Sequence, residues 1–199
     1  MFVKTADRFV DIMLEHGIID KSKEVVCRWG IMHMLDTIFN TALFVLIGIS
    51  ADMLAETALF TASYIPLRIY AGGYHAATPK KCCIISLIML VGSLLLISHA
   101  ERMLIPFYAL AVSAALILIV LMPISDIHKP LGKAERRKYR TKGIAVLLTE
   151  MFFSVSLFLL GQKRSSMVLA SVWISLSLML IFGAVINACK QERREHHEK

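Results

Sequence analysis

Residues 82–122 read "CCIISLIMLVGSLLLISHAERMLIPFYALAVSAALILIVLM", two apolar runs, Cys82–Ala100 and Met103–Met122, parted by Glu101 and Arg102. Each run comes close to the roughly 20 residues that a helix needs to cross about 30 Å of hydrocarbon. Further apolar runs lie at Leu43–Ile49, Ile144–Leu160 and Ser165–Ala188. Over the whole chain of 199 residues, 57% are hydrophobic, 19% are charged and the mean hydropathy is +0.66. A soluble domain is nearer half apolar and a quarter charged. The excess is gathered into runs, which points to a membrane protein rather than to a large soluble core. The pattern predicts an all-α integral membrane protein of one domain, 1–199, with six spans at about 29–49, 53–67, 82–100, 103–122, 144–160 and 165–188. The second span is short, carries Glu56 and ends near Pro66.

The charges give the chain a direction. With the N-terminus in the cytoplasm, nineteen of the 22 Lys and Arg residues fall on the cytoplasmic side, and Arg102, Lys163 and Arg164 fall outside. That bias sets the expected orientation, with both termini and the 68–81 segment cytoplasmic. The net charge of +7 is then a matter of topology, and nucleic-acid binding is not needed to explain it. Cys27, Cys82, Cys83 and Cys189 all lie at or near that reducing face, where disulfides seldom persist. No cysteine spacing suits a structural zinc site, and neither a metal nor a cofactor is expected.

Residues 1–28 form a cytoplasmic amphipathic segment. Phe2, Ala6, Phe9, Met13 and Leu14 recur at helical spacing among Lys4, Asp7, Arg8, Asp11 and Glu15. The pattern suits a helix lying in the membrane interface and equally a helix packed on its neighbours. No apolar run there is long enough for a signal peptide, so no cleaved leader is expected.

Between the second and third spans the chain reads "RIYAGGYHAATPKKCC", Arg68 to Cys83. Thr78 suits an N-cap and Pro79 the first helical position. Cys82 then falls in the first helical turn, where the helix dipole and Lys80 and Lys81 favour a thiolate, the nucleophilic form. His75 can fold back toward Cys82, and a Cys–His pair is the minimum apparatus for acyl transfer. Gly72 and Gly73 permit close approach of a substrate backbone and offer N–H groups to an oxyanion. Arg68 suits a substrate carboxylate or the oxyanion itself. The residues alone leave a second reading open: a structural turn, a headgroup arginine and a cysteine used as a small hydrophobe.

The spacing R-x4-G-x-HA-x5-C, formed by Arg68, Gly73, His75, Ala76 and Cys82, resembles the active-site motif of the accessory gene regulator B (AgrB) peptidases. These are Gram-positive membrane cysteine endopeptidases that process the precursor of a cyclic quorum-sensing peptide. The amphipathic start, about six spans and a basic loop after the fourth span, "PISDIHKPLGKAERRKYRTK" at 123–142, extend the resemblance to nearly the full chain. It implies Cys82 as nucleophile, His75 as base and acid, and Arg68 and Gly73 as motif partners. It implies an AgrD-like propeptide as substrate, the lipid bilayer as medium, and leaves a homodimer open. The cyclic product would be a thiolactone or lactone, released when an internal thiol or hydroxyl attacks the acyl-enzyme thioester. Cys83 is a second thiol beside the first.

Other polar residues stand inside the spans. His33, Asp36 and Asn40 share one face of the first span, and Asp36 lies about 10 Å into the membrane at 1.5 Å per residue. Glu150 enters the fifth span to a similar depth. Intramembrane carboxylates mark a function or a paired contact; Asp36 could orient His75 or hydrogen-bond between helices. The rival function is a small peptide transporter that uses this polar face as a path and has no peptidase chemistry. Neither H-E-x-x-H nor G-x-S-x-G occurs in the chain.

Overall fold

The computed structural model describes residues 3–72, 79–100, 102–124 and 132–197; for Lys4, His33, residues 79–82, Lys133 and residues 187–197 it describes the backbone alone. The described chain is helical, with one isolated backbone bridge between Gly72 and Ile124. Seven helices follow in order: α1 (Val3–Glu15), α2 (Glu24–Ser50), α3 (Leu54–Ala71), α4 (Pro79–Ala100), α5 (Leu104–Leu121), α6 (Lys133–Leu159) and α7 (Lys163–His197). The segments Lys21–Ser50, Cys83–Ala100, Leu104–Leu121, Ala134–Leu159 and Lys163–Ile186 are long and apolar enough to cross a membrane. The chain is an all-α, multi-pass membrane protein.

α7 is the centre of the bundle and packs against α3, α4, α5 and α6. From Ser166 to Ser177 every residue is buried, as befits a helix surrounded on all sides. Its serines are satisfied inside the core. Ser175 shares a 2.7 Å hydrogen bond with Ser93 on α4, and Ser166 shares one of 3.0 Å with Ser154 on α6. The Tyr108 hydroxyl on α5 donates to Ser166 at 2.9 Å. Small residues and buried polar pairs of this kind let membrane helices approach closely where no hydrophobic force separates helix from lipid.

α3 buries Thr57, Phe60, Tyr64, Leu67 and Ala71, a stripe at three- and four-residue spacing. The sequence places the end of this span near residue 67, but the helix runs on through Pro66 to Ala71. Proline inside a helix costs about 3 kcal/mol, and Leu67 and Ala71, both at 0% exposure, offset it by packing into the core. Arg68 therefore stands in the last turn of α3 rather than in a loop. The basic segment 123–142 is likewise half helix, because α6 starts at Lys133. The Gly132 N–H donates to Glu135 Oε2 at 3.4 Å, half of a capping box. Ala134, Glu135, Arg136, Arg137 and Lys138 are strong helix formers that carry it on.

α1 packs on α2 by one face. Ala6 and Val10 are buried, and Arg28 on α2 donates to Asp7 and, at 2.8 Å, to Glu24. Phe9 and Ile12 stay exposed on its far side. α2 lies at the edge of the bundle, with Met34, Ile38, Leu46 and Ile49 outward.

Candidate active site

α3 and α4 bracket the reactive segment. Arg68 is in the last turn of α3, Gly72 ends that helix, and α4 starts at Pro79, where the sequence places the first helical residue. Cys82 is the fourth residue of α4, on the first turn, as expected. Gly73 and His75 lie outside the described residues, as does the side chain of Cys82. Cys83 is half-buried, and neither it nor Cys27 forms a disulfide.

Arg68 reaches back over its own helix end. Its Nη1 donates to the Gly72 carbonyl at 3.1 Å and also to Met179 Sδ on α7, the sulfur that accepts from the Tyr64 hydroxyl at 3.4 Å. The Gly72 N–H donates to Arg68 O at 3.2 Å, so it closes the end of α3 in this conformation. Its close approach is also to protein. Gly72 has φ +71 and ψ −135, and a Cβ there would sit 2.3 Å from the carbonyl oxygen of Ile124. Ile124, just past α5, donates its N–H to Ala71 O at 3.1 Å.

Behind this contact stands the start of α6. Gly143 lies so close to Met122 and Tyr70 that a Cβ would meet Met122 Sδ at 2.9 Å and Tyr70 Cβ at 3.3 Å. The Tyr70 and Tyr139 rings meet at 6.2 Å, and Lys142 Nζ lies 5.7 Å from the centroid of the Tyr70 ring. Arg136, Arg137, Lys138, Arg140 and Lys142 are all exposed around this first part of α6, giving the mouth a strong positive charge.

Asp36 is half-buried on α2. Glu150 is deep in the core at 8% exposure, and its Oε2 accepts a hydrogen bond from Trp173 Nε1 at 2.9 Å. Its depth is legible in the sequence, but its partner on α7 is not. Glu56, which the sequence places in the short second span, pairs with Arg164 at 2.5 Å. Ile124, Met179 and Gly143 carry no mark of their own in the sequence. Among the described residues no three His, Cys, Asp or Glu gather to hold a metal. A cavity lined by Leu104, Gln162, Lys163, Ser165 and Met167 opens at the other end of the bundle, away from the reactive segment.

Comparison with known proteins covers most of the chain. The family model described as Accessory gene regulator B matches residues 6–186. The Accessory gene regulator protein B of Staphylococcus saprophyticus is 24% identical over 176 residues, covering 88% of this chain and 92% of that protein. AgrB-like protein 2 of Clostridium perfringens is 23% identical over 171 residues, covering 82% of this chain and 78% of that protein. No solved structure matches.

Proposed function

Because the chain belongs to the accessory gene regulator B family of quorum sensing, we propose that it is a membrane cysteine endopeptidase acting on an AgrD-like propeptide. The observation that carries this reading is the motif itself, Arg68 to Cys82, set between the end of α3 and the first turn of α4. A first-turn thiol feels the unpaired backbone N–H groups of the helix start, which favour the thiolate. A conserved energy account suits ring closure too: exchange of one thioester for another loses little free energy, whereas hydrolysis would forfeit it.

His75 takes the Cys82 proton, and the sulfur attacks the carbonyl carbon of one peptide bond. A C–S bond forms, the C–N bond breaks, and His75 returns the proton to the departing amine. An internal thiol or hydroxyl of the precursor then attacks the thioester carbonyl, losing its proton to His75. The thiolactone or lactone leaves, and the proton goes back to Cys82. Exclusion of water from the site protects the thioester.

The test is processing of a precursor peptide in proteoliposomes. Cys82→Ala should abolish cleavage, and Cys83→Ser should keep most of it. Equal loss at Cys83 would show that the second thiol is the nucleophile, and cleavage by Cys82→Ala would sink the reading. The cytoplasmic orientation is tested in sealed cells, where an impermeant thiol reagent should leave Cys82 unlabelled. The transporter reading gains no support from the bundle: α7 fills its centre, and α2, with its polar face, lies at the edge.

A further inference from the structure

The end of α3 and the chain leaving α5 are fastened at one point, by backbone atoms. Ile124 N donates to Ala71 O at 3.1 Å, and Ile124 O occupies the place where a Cβ on Gly72 would be, 2.3 Å away. A carbonyl held in this way cannot swing aside as the tip of a side chain can. Gly72, at φ +71 and ψ −135, holds a conformation open to glycine and strained for other residues. Arg68 Nη1 holds the Gly72 carbonyl from the other side at 3.1 Å, and Met179 on the central helix anchors the same guanidinium. Met122, 2% exposed, and Gly143 on α6 close the contact from behind. Three helices and the α5–α6 connection thus fix the last residue before the reactive segment.

We propose that this contact is a positioning clamp: it sets the point and direction from which the reactive segment leaves α3, and Arg68 acts on the reaction through the Gly72 carbonyl rather than by touching substrate. The inference rests on the peptidase reading, with Cys82 and His75 as the catalytic residues. Groups that act together must be held within about 0.5 Å of their working geometry. A misplacement of about 1 Å costs on the order of 100-fold in rate. A clamp centred on a backbone hydrogen bond and a glycine, and braced by the Arg68 side chain on Met179, suits that need, because its central contact depends on no side-chain rotamer. It also ties the reactive segment to α6, whose cations lie at the same mouth.

The experiment uses the full chain in proteoliposomes with a precursor peptide. The variants are Gly72→Ala, which meets the Ile124 carbonyl, Ile124→Pro, which removes the N–H donor, and Arg68→Lys. Ile124→Val keeps the N–H and is the conservative counterpart, and Gly92→Ala, at a glycine with open space around it, is the control. Three quantities are read: kcat and KM, melting in detergent, and the iodoacetamide alkylation rate of Cys82 in a Cys27→Ser, Cys83→Ser, Cys189→Ser background. The first three variants should lower kcat by roughly 10- to 100-fold with KM held within about 2-fold, the signature of lost positioning. They should also change the alkylation rate, while Ile124→Val and Gly92→Ala match wild type. A rise in KM for Arg68→Lys with kcat intact would overturn the proposal by assigning Arg68 to the substrate. So would wild-type kcat and alkylation in Gly72→Ala and Ile124→Pro, or losses that only follow melting. If Cys82→Ala still cleaves, the peptidase reading fails instead, and the alkylation rates, which need no activity, still decide the clamp.

Discussion

The two ends of the bundle are built differently. At one end, α2–α3, α4–α5 and α6–α7 are each joined by three residues, at 51–53, 101–103 and 160–162. At the other, the α3–α4 and α5–α6 connections run over 72–78 and 122–132, seven and eleven residues. Short turns hold helix ends together and leave little chain for chemistry. The long-connection end carries the motif and a dense positive charge, and compensates for its longer chain with the Gly72–Ile124 contact. The pairing of a rigid end with a reactive one follows a general rule, in which functional residues sit on loops positioned by a fixed scaffold. Changes at the two ends should therefore separate into losses of rate and losses of stability.

The largest expected effect is at the long-connection end. On the proposed mechanism His75 is the general base and acid, so His75→Ala should lower kcat by about 10²–10⁴-fold. Cys82→Ala should remove activity altogether, and the double variant should be no worse than Cys82→Ala alone, because the pair acts as a unit. Kinetics of single and double variants at saturating peptide check this. An additive loss would show that the two residues work in separate steps. Melting temperatures, read beside the kinetics, separate a loss of rate from a loss of fold.

The core gives the intermediate effect. Glu150→Ala leaves the buried Trp173 N–H without its acceptor, which costs about 1–3 kcal/mol, and more for the space vacated. Glu150→Gln keeps an acceptor at the same reach and should cost less. Melting in detergent orders the three proteins, and peptide processing at low temperature should remain. If Glu150→Gln stops processing while melting like wild type, the carboxylate has a part in the chemistry that its place in the core does not suggest.

The same contrast governs what could be read from sequence. The membrane helices follow from local composition: the runs at 82–100 and 103–122 need no partner to declare themselves. The motif is legible as spacing alone, Arg68 to Cys82. Where tertiary packing overrides a local rule, reading stops. Pro66 argues for an end to α3 near Leu67, yet burial of Leu67 and Ala71 carries the helix five residues past Pro66. Lys and Arg between 133 and 142 suggest a loop by charge, but their helix propensity and the Glu135 cap decide otherwise. Gly72 reads as a flexible oxyanion donor because the carbonyl that crowds it belongs to a residue 52 positions away. His33, Asp36 and Asn40 share a face by periodicity, but only packing shows that their helix stands at the edge.

The smallest effect belongs to the short-turn end, at the Glu56–Arg164 pair. Its atoms are 2.5 Å apart, yet Arg164 is 48% exposed and Glu56 is 17% exposed. A pair open to water on one side is worth about 0.2–1 kcal/mol, because water screens the charges and ordering two long side chains costs entropy. Glu56→Gln, Arg164→Gln and the double variant form a cycle whose coupling energy, read by melting in detergent, should lie in that range. Added salt should shrink it, since exposed charges are screened within about 10 Å at 0.1 M. Processing should be unchanged in all three variants, as the pair stands at the end away from the motif. The alternative has a different sign in the data. Were this end of α3 immersed in hydrocarbon, either single change would leave an unpaired buried charge and cost about 3–5 kcal/mol. Salt would then hardly matter. A large, salt-independent coupling would place Glu56 inside the membrane and move the short-turn end deeper into the bilayer; a small, salt-sensitive one keeps it at the headgroups, where α3 begins.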